Sequence, residues 1–272
     1  MTREVEQTMR DARRLLEIAG SPSAARDVSA LMDKVRGDSP PRTPLDDDQI
    51  AEFNRLVARR AGREPVSHLV GTRAFWMHDF EVCADVLDPR PETETLVQAG
   101  GTVPFDTVLD LGTGSGCVLL SLLYEKPQAR GLGVDLSPEA LVVARRNGAV
   151  VGVADRVGWA VSDWFDAVEG PFDLIVSNPP YIAVDEMAGL SPELAFEPRM
   201  ALTDEGDGLA CYRIITAGAP VHLAAGGWLM VEIGPTQGGA VAAMFRAAGL
   251  HNIEIRPDLD GRDRVIMGQK PL

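Results

Sequence analysis

Apolar and polar positions divide the chain into a helical first part and a longer part where short apolar runs alternate with helical patterns. Val5, Met9, Ala12, Leu15, Leu16 and Ala19 recur at the spacing of one helix face, and Gly20 follows as a stop. Val28, Leu31, Met32 and Val35 predict a second helix over Ala24 to Val35. Gly37-Asp38-Ser39-Pro40-Pro41-Arg42-Thr43-Pro44 is a breaker-rich connection. A third helix starts near Asp48, where Asp46, Asp47 and Asp48 complement the positive end of its dipole ahead of Ile50, Phe53, Val57 and Ala61. Between Val70 and Leu87 the pattern changes. Phe75, Trp76, Phe80, Val82 and Val86 among Gly71, His78 and Asp79 predict a short β-hairpin bridging two domains. Pro89 to Glu94 is then an extended stretch leading into a helix.

From Phe105 onward strands and helices alternate. Val108-Leu109-Asp110-Leu111, Gly131-Leu132-Gly133-Val134, Asp173-Leu174-Ile175-Val176 and Trp228-Leu229-Met230-Val231 are apolar strands, with a third short strand before Ser162. Helices are predicted over Gly116 to Tyr124, from Ser137-Pro138, and over Gln237 to Ala248. Ile253 to Ile255 and Val265 to Met267 supply late strands. Repeated strand–helix units with apolar strands predict an α/β domain with a mostly parallel sheet covered by helices.

Composition narrows the function. The 272 residues are 45% apolar and 24% charged, which suits folded domains. A formal net charge of −14 opposes tight, sequence-independent binding to nucleic acid, where neutralising phosphates dominates affinity. Cys83, Cys117 and Cys211 do not form a disulfide framework, and His68, His78, His222 and His251 show no metal-ligand spacing. The N-terminus lacks the apolar run of a signal peptide, and no stretch approaches the length of a membrane span. A soluble cytoplasmic protein without a metal is expected. On the third helix Arg55, Arg59 and Arg63 fall four residues apart. They are either a contact face for an acidic partner or RNA, or a solvated face, the commoner fate of a charge run.

Two loops carry the chemistry. Asp110-Leu111-Gly112-Thr113-Gly114-Ser115-Gly116 lies between the first strand of the sheet and its helix, where glycines let the backbone turn sharply and approach a ligand. Its spacing is G-x-G-x-G, not the G-x-G-x-x-G of dinucleotide sites. S-adenosylmethionine needs no phosphate cradle and fits this loop. Asp110 is placed to bind the cofactor ammonium directly or through water. Asp135 ends the second strand and can accept from both ribose hydroxyls. In Ser162-Asp163-Trp164-Phe165, Asp163 can take the adenine amino group and Trp164 can cover the ring.

Ser177-Asn178-Pro179-Pro180-Tyr181 follows the strand ending at Val176 and so lies on the same rim. Two prolines hold the backbone extended and leave the Pro179 carbonyl free. A planar amide or amine nitrogen is a poor nucleophile because its lone pair is delocalised. The Asn178 side-chain oxygen and the Pro179 carbonyl can hold its two hydrogens, stabilise the charge developing on nitrogen, and aim the lone pair at the methyl group. Tyr181 offers a flat face to the substrate. A methyltransferase acting on such a nitrogen is the expectation.

These motifs resemble the HemK/PrmC family, the release factor glutamine methyltransferases. The resemblance covers nearly the whole chain. It rests on Arg63-Glu64-Pro65-Val66, Gly71, Phe75-Trp76, Leu87-Asp88-Pro89-Arg90-Pro91-Glu92-Thr93-Glu94, both loops, Phe196-Glu197-Pro198 and Gly261-Arg262-Asp263-Arg264-Val265. The family usually has Ile or Val in place of Asp88 and Asp in place of Glu92. The resemblance implies a Rossmann-like class I methyltransferase domain with a mostly parallel seven-stranded sheet over residues 96–272. A substrate-recognition helical domain over 1–69 and a β-hairpin linker over 70–95 would precede it. The implied cofactor set is Asp110, Gly112, Thr113, Gly114, Ser115, Gly116, Asp135, Asp163, Trp164 and Asn178. Asn178, Pro179 and Tyr181 are the implied catalytic residues, and Asn178, Pro179, Pro180, Tyr181 and Glu197 the implied substrate contacts. The implied substrate is the glutamine of the Gly-Gly-Gln loop in bacterial class I peptide chain release factors, and the implied product of the cofactor is S-adenosylhomocysteine.

Asn-Pro-Pro-Tyr is shared with adenine-N6 methyltransferases, so a DNA or RNA adenine enzyme stays open, though an acidic chain of this length lacks the basic cleft it needs. A non-catalytic module that binds S-adenosylmethionine also stays open, but has no use for two fixed acceptors. A nicotinamide-dependent oxidoreductase is disfavoured by the glycine spacing.

Overall fold

The structure, a computed structural model, describes residues 3–40 and 43–272. Pro41 and Arg42, at the centre of the breaker-rich connection, lie outside the described residues. The chain sorts into two compact units, Met1–Thr72 with Ser191–Phe196, and Arg73–Leu190 with Glu197–Leu272.

The first unit is helical, with α1 (Arg3–Ile18), α2 (Ala24–Arg36), α3 (Asp47–Ala61) and the short α4 (Val66–Val70). Its core gathers Val5, Ala12, Leu16, Val28, Leu31, Met32, Phe53 and Val57, periodic positions of the sequence, and Leu56, which the pattern did not single out. Leu15, which the pattern also counts, is exposed. A capping box opens α3. The Gln49 N–H donates to Asp46 Oδ1 at 2.8 Å, and the Asp46 N–H donates to Gln49 Oε1 at 3.1 Å. Five residues are too few to show a period, so α4 is not legible in the sequence.

A buried ion pair ties the helical unit together. Arg60 Nε donates to Asp27 Oδ2 at 2.7 Å, and the Ser21 and Ser23 hydroxyls reach the same carboxylate at 2.7 Å each. Burial pushes the Asp27 pKa up, but the bonds from Arg60, Ser21 and Ser23 outweigh it and hold it below its ordinary value. Arg60 Nη1 and Arg63 Nη2 also reach Glu193, at 3.1 and 2.8 Å. Burial opposes the charge on Glu193, yet bonds from Arg63, Ser191 and Arg60 bring its pKa down to about 2. The expected stripe of Arg55, Arg59 and Arg63 is not a row of free cations on one helix: α3 ends at Ala61, and Arg63 lies past the Gly62 cap with φ +72. Arg55 pairs with Glu52 at 2.7 Å, Arg59 with Glu64 at 2.5 Å, and Arg63 with Glu193 and the Gly20 carbonyl.

The second unit opens with the hairpin of β1 (Thr72–Phe75) and β2 (His78–Glu81), the first residue of β1 belonging to the helical unit. A 3-10 turn over Pro91–Thr93 leads into α5 (Glu94–Gly101). Then follow β3 (Thr107–Leu111), α6 (Cys117–Glu125), β4 (Arg130–Asp135), α7 (Pro138–Val151), β5 (Val157–Val161), β6 (Phe172–Ser177), α8 (Ala210–His222), β7 (Leu223–Glu232), α9 (Gly238–Ala247), β8 (His251–Pro257) and β9 (Asp263–Gln269). Seven strands form one sheet in the order β5-β4-β3-β6-β7-β9-β8, parallel except where β9 pairs with β7 and β8. Among the described residues no helix is long and apolar enough to cross a membrane.

Both faces of the sheet are packed. Leu119, Leu120, Leu122 and Leu123 of α6 join Val108, Leu174 and Val176 in one core, and Tyr212, Ile215 and Phe245 join Leu109, Leu111, Ile175 and Leu229 in the other. The sequence did not announce α8, whose interior holds Gly218 and Pro220, both poor helix formers. A Cβ on Gly218 would lie 2.4 Å from Phe165 Cδ2, so the glycine is there to let the helix meet that ring. Strand order reverses between β3 and β6, the crevice where open α/β sheets bind ligands.

Candidate active site

A cavity of about 540 Å³ opens at that crevice, within the second unit. The two loops that frame it leave the carboxyl ends of β3 and β6. Ser177 Oγ donates to the Leu111 carbonyl at 2.7 Å and locks those strand ends in register.

In the glycine loop each residue has a distinct job. Gly112 (φ +68) and Gly114 (φ +54) line the cavity, and a Cβ on either would meet nothing within 4 Å. Gly116 (φ +80) does not line it. A Cβ there would fall 3.0 Å from Leu120 Cδ1 and 3.3 Å from the Ala144 Cβ, so the third glycine lets α6 pack closely. Thr113 and Ser115 are buried away from the cavity. The Thr113 hydroxyl donates to Asp110 Oδ2 at 2.7 Å. Asp110 is 2% exposed and does not border the cavity, and burial raises its pKa to about 7. Its place is beneath the loop, which it supports through the Thr113 hydroxyl.

Asp135 does border the cavity. Its Oδ2 accepts from the Gly114 N–H at 2.8 Å and its Oδ1 from the Ser137 N–H at 2.9 Å, so it shapes the glycine loop as well as facing the ligand space. Burial raises its pKa against these bonds. Ser137 caps α7 by accepting from the Ala140 N–H at 3.1 Å. Asp163 and Trp164 line the next wall. Trp164 has φ +49, uncommon for a bulky residue, and the Ser162 hydroxyl pins its carbonyl at 2.9 Å.

From the second loop, Asn178 and Pro180 line the cavity. Pro179 is buried, and no hydrogen-bond donor among the described residues reaches its carbonyl. Tyr181 is not among the residues that border the cavity. Its half-buried ring packs against the core that holds Tyr212 and Ile215, and its hydroxyl donates to Glu232 Oε1 at 3.2 Å. Burial, followed by the Glu232 charge, raises the Tyr181 pKa well above its ordinary value. Glu197 is also turned from the cavity. It is buried and accepts from the Asp88 N–H at 3.2 Å and from the Arg90 guanidinium, so it ties the Phe196-Glu197-Pro198 and Pro89-Arg90-Pro91 segments together.

Several contributors were missed by sequence reading. Ala84 to Leu87, after the hairpin, form a wall of the cavity, with Arg199 to Ala201 among the residues opposite. Asn147, fully buried in mid-helix, donates to the Ser115 carbonyl at 2.9 Å and exchanges bonds with the Glu81 N–H and C=O at 2.7 and 3.1 Å. An asparagine inside a helix, where its propensity is poor, was the available signal. Gln237 ties three segments together. Its Nε2 donates to the Tyr181 and Gly208 carbonyls at 2.9 and 3.1 Å, its Oε1 accepts from the Gly234 N–H at 2.9 Å, and the Tyr212 hydroxyl, which donates to the Glu232 carbonyl at 2.9 Å, stands 3.2 Å from the same Oε1.

Chemically, the cavity offers a glycine-lined floor, a half-buried carboxylate, an indole, and an amide held at one edge. Residues 7–71 match the PrmC N-terminal domain family, and residues 83–214 match the methyltransferase small domain family. A release factor glutamine methyltransferase of Cereibacter sphaeroides is 50% identical over 268 residues, 98% of this chain and 93% of that protein. Another, of Rhodospirillum rubrum, is 46% identical over 265 residues, covering 94% and 82%. The crystal structure of a methyltransferase from Pyrococcus furiosus shares the fold, with TM-score 0.56 and 17% identity over 80% of this chain and 99% of that one. With relatives this similar along nearly the full length of both units, the chain belongs to the release factor glutamine methyltransferase family.

Proposed function

We propose that this chain transfers a methyl group from S-adenosylmethionine to the side-chain amide nitrogen of the glutamine in the Gly-Gly-Gln loop of bacterial class I release factors. The observation that carries the reading is that Asn178 and Pro180 border the same cavity as Gly112, Gly114 and Asp135. An amide acceptor thus meets a ligand site of the right character.

The residues present suit S-adenosylmethionine. Gly112 and Gly114 leave open space where side chains would intrude, Asp135 offers a carboxylate to ribose hydroxyls, and Asp163 and Trp164 offer an acceptor and a ring face to adenine. When bound, the sulfonium supplies an electrophilic methyl group. Asn178 Oδ1 and the Pro179 carbonyl receive the two hydrogens of the glutamine amide. They orient its nitrogen and stabilise the positive charge that forms there. Residues 1–69 serve as the recognition domain that grips the release factor away from the reacting glutamine, joined through the linker of 70–95 to the catalytic domain of 96–272. The net charge of −14 argues for a protein substrate over bare nucleic acid. The reaction then belongs in the cytoplasm, with the release factors.

The test is to incubate the enzyme with methyl-labelled cofactor and a purified class I release factor, then map the label by mass spectrometry. The label is expected on the glutamine of the Gly-Gly-Gln loop. Asn178→Ala should lower the transfer rate by about a hundredfold while cofactor binding stays near normal. Label on nucleic-acid adenine in preference to the release factor overturns the proposal.

A further inference from the structure

The catalytic loop has few bonds of its own. Pro179 and Pro180 have no N–H to give, so Asn178-Pro179-Pro180-Tyr181 depends on what grips its ends. At the entry, Asn178 Nδ2 donates to the hydroxyl of the buried Thr93 at 3.2 Å. At the exit, the Tyr181 carbonyl accepts from Gln237 Nε2 at 2.9 Å, and no other donor among the described residues reaches it.

The grip on the exit includes a second segment. Gln237 Nε2 also donates to the Gly208 carbonyl at 3.1 Å. Gly208 ends a stretch whose earlier residues, Arg199 to Ala201 and Thr203 to Glu205, line the cavity. This stretch runs alongside the loop exit. The Ile182 N–H donates to the Leu202 carbonyl at 3.1 Å, and the Val184 N–H to the Gly206 carbonyl at 2.9 Å. Asp204 turns the stretch back, accepting from the Gly206, Gly208 and Ala210 N–H groups at 2.8, 3.0 and 2.8 Å. One side-chain amide thus ties the catalytic loop to a wall of the same cavity.

The partners of the Gln237 amide determine which way it faces. Carbonyls only accept, so its NH₂ is turned to Tyr181 and Gly208, while the Gly234 N–H, which only donates, takes Oε1. Gln237 stands at the N-cap of α9, yet its side chain makes no cap bond to that helix. Asn, Asp, Ser and Thr are the residues that cap well, so α9 by itself gives no reason for a glutamine there.

We infer that Gln237 is a positioning residue for methyl transfer, holding the exit of the catalytic loop against the cavity wall and so setting the direction of the Pro179 carbonyl. The inference rests on the proposed role of Asn178 and Pro179 as acceptors for the glutamine amide. The ring of Pro180 locks φ between the Pro179 and Tyr181 carbonyls. A shift at Tyr181 is therefore passed back along the loop instead of being absorbed within it.

The test uses the full chain with S-adenosylmethionine and a purified class I release factor. Gln237→Glu keeps the shape and the acceptor for the Gly234 N–H, but once ionised has no hydrogen for either carbonyl. Gln237→Met keeps the length without the charge. In each, kcat should fall about ten- to a hundredfold, the scale of a slightly misplaced catalytic group, while cofactor affinity by calorimetry and the release factor KM change less than about threefold. Parental kcat in either folded variant overturns the inference. So does a loss carried equally by cofactor affinity, or failure of both variants to fold, since Gln237 would then hold the domain and not the loop. If Gln237→Glu alone fails to fold, Gln237→Met decides. If Asn178→Ala is inactive while the Gln237 variants turn over normally, only the role of Gln237 falls. If Asn178→Ala itself turns over normally, the acceptor role falls and takes this inference with it.

Discussion

Gly208 lies so close behind Tyr181 that a Cβ built on it would sit 2.4 Å from the Tyr181 carbonyl oxygen. The glycine also has φ +72, and the same Cβ would come 3.2 Å from the Ala183 nitrogen. These neighbours are backbone atoms that cannot swing aside. Gly208→Ala should therefore shift the exit of the catalytic loop, loosen the Gln237 bonds to Tyr181 and Gly208, and cost about 1–3 kcal/mol of stability. Thermal unfolding should show a lowered Tm, and steady-state kinetics a larger loss in kcat than in cofactor affinity. A variant with parental Tm and turnover would show that the loop does not need this close approach.

Asp135 joins the floor of the cavity to its wall. Asp135→Ala removes the acceptor for the Gly114 and Ser137 N–H groups together with the proposed ribose acceptor. Losing one charged hydrogen bond costs roughly 1.5–3 kcal/mol, so affinity for S-adenosylmethionine should fall about ten- to over a hundredfold. Calorimetry reads this directly, and an unchanged dissociation constant would separate Asp135 from cofactor binding.

The arginines of α3 should divide by partner and burial. Arg55 pairs with Glu52 in the open, and exposed pairs contribute little, so Arg55→Ala should leave Tm unchanged. Arg60→Ala strands Asp27 as a buried charge and should cost about 3–5 kcal/mol. If both variants melt at the parental temperature, the Arg60–Asp27 pair is not what holds the helical unit. If Arg55→Ala together with Arg59→Ala raises the KM for the release factor, the pairs on this face open for the partner.

Asp110 and Glu232 give stability a defined pH slope. Burial raises both carboxyls to about 7, above the 3.8 and 4.5 of their free counterparts. The folded state then binds more protons than the unfolded one, so their contribution is full below pH 3.8 and 4.5 and is lost as pH rises toward about 7. Glu193 runs the other way. Its pKa is lowered from 4.5 to about 2, so its contribution is present above pH 4.5 and lost as pH falls toward 2. Asp110→Asn and Glu232→Gln should each flatten the decline in Tm between pH 4.5 and about 7. A slope identical to the parent's in both would mean that neither carboxyl is neutral in the fold.

The sheet was legible in the sequence because each buried strand is a short apolar run, and both site loops because they follow such runs. Asp135, Gly112, Gly114 and Asn178 were found on that logic, and all four border the cavity. Motif membership was less discriminating. It placed Asp110, Thr113, Ser115, Gly116, Tyr181 and Glu197 in the site, where their neighbours on the chain belong, yet their side chains or Cα positions serve the layer behind it. Sequence spacing gives a loop's location but not which way each residue turns. Thr93, Gln237 and Asn147 escaped for the complementary reason. Each acts on a segment distant in sequence, and of the three only Asn147, an asparagine inside a helix, left a local signal.

Because β9 runs against its neighbours, the beginning of that strand, not its end, lies beside Glu232, with Val265 paired to it and Arg264 next along. Had β9 been parallel, the same guanidinium would sit at the opposite edge of the sheet. Reversal also sets an order of assembly. The glycine loop, Asp135, Trp164 and Asn178 come earlier in the chain than either member of the Glu232–Arg264 pair. During synthesis from the N-terminus the ligand-facing surfaces exist before the base beneath the catalytic loop is complete. The last strand of the sheet is thus the one that brings a counter-charge to the buried carboxylate, and fraying of β9 should be felt first at Glu232 and at the Tyr181 hydroxyl bonded to it.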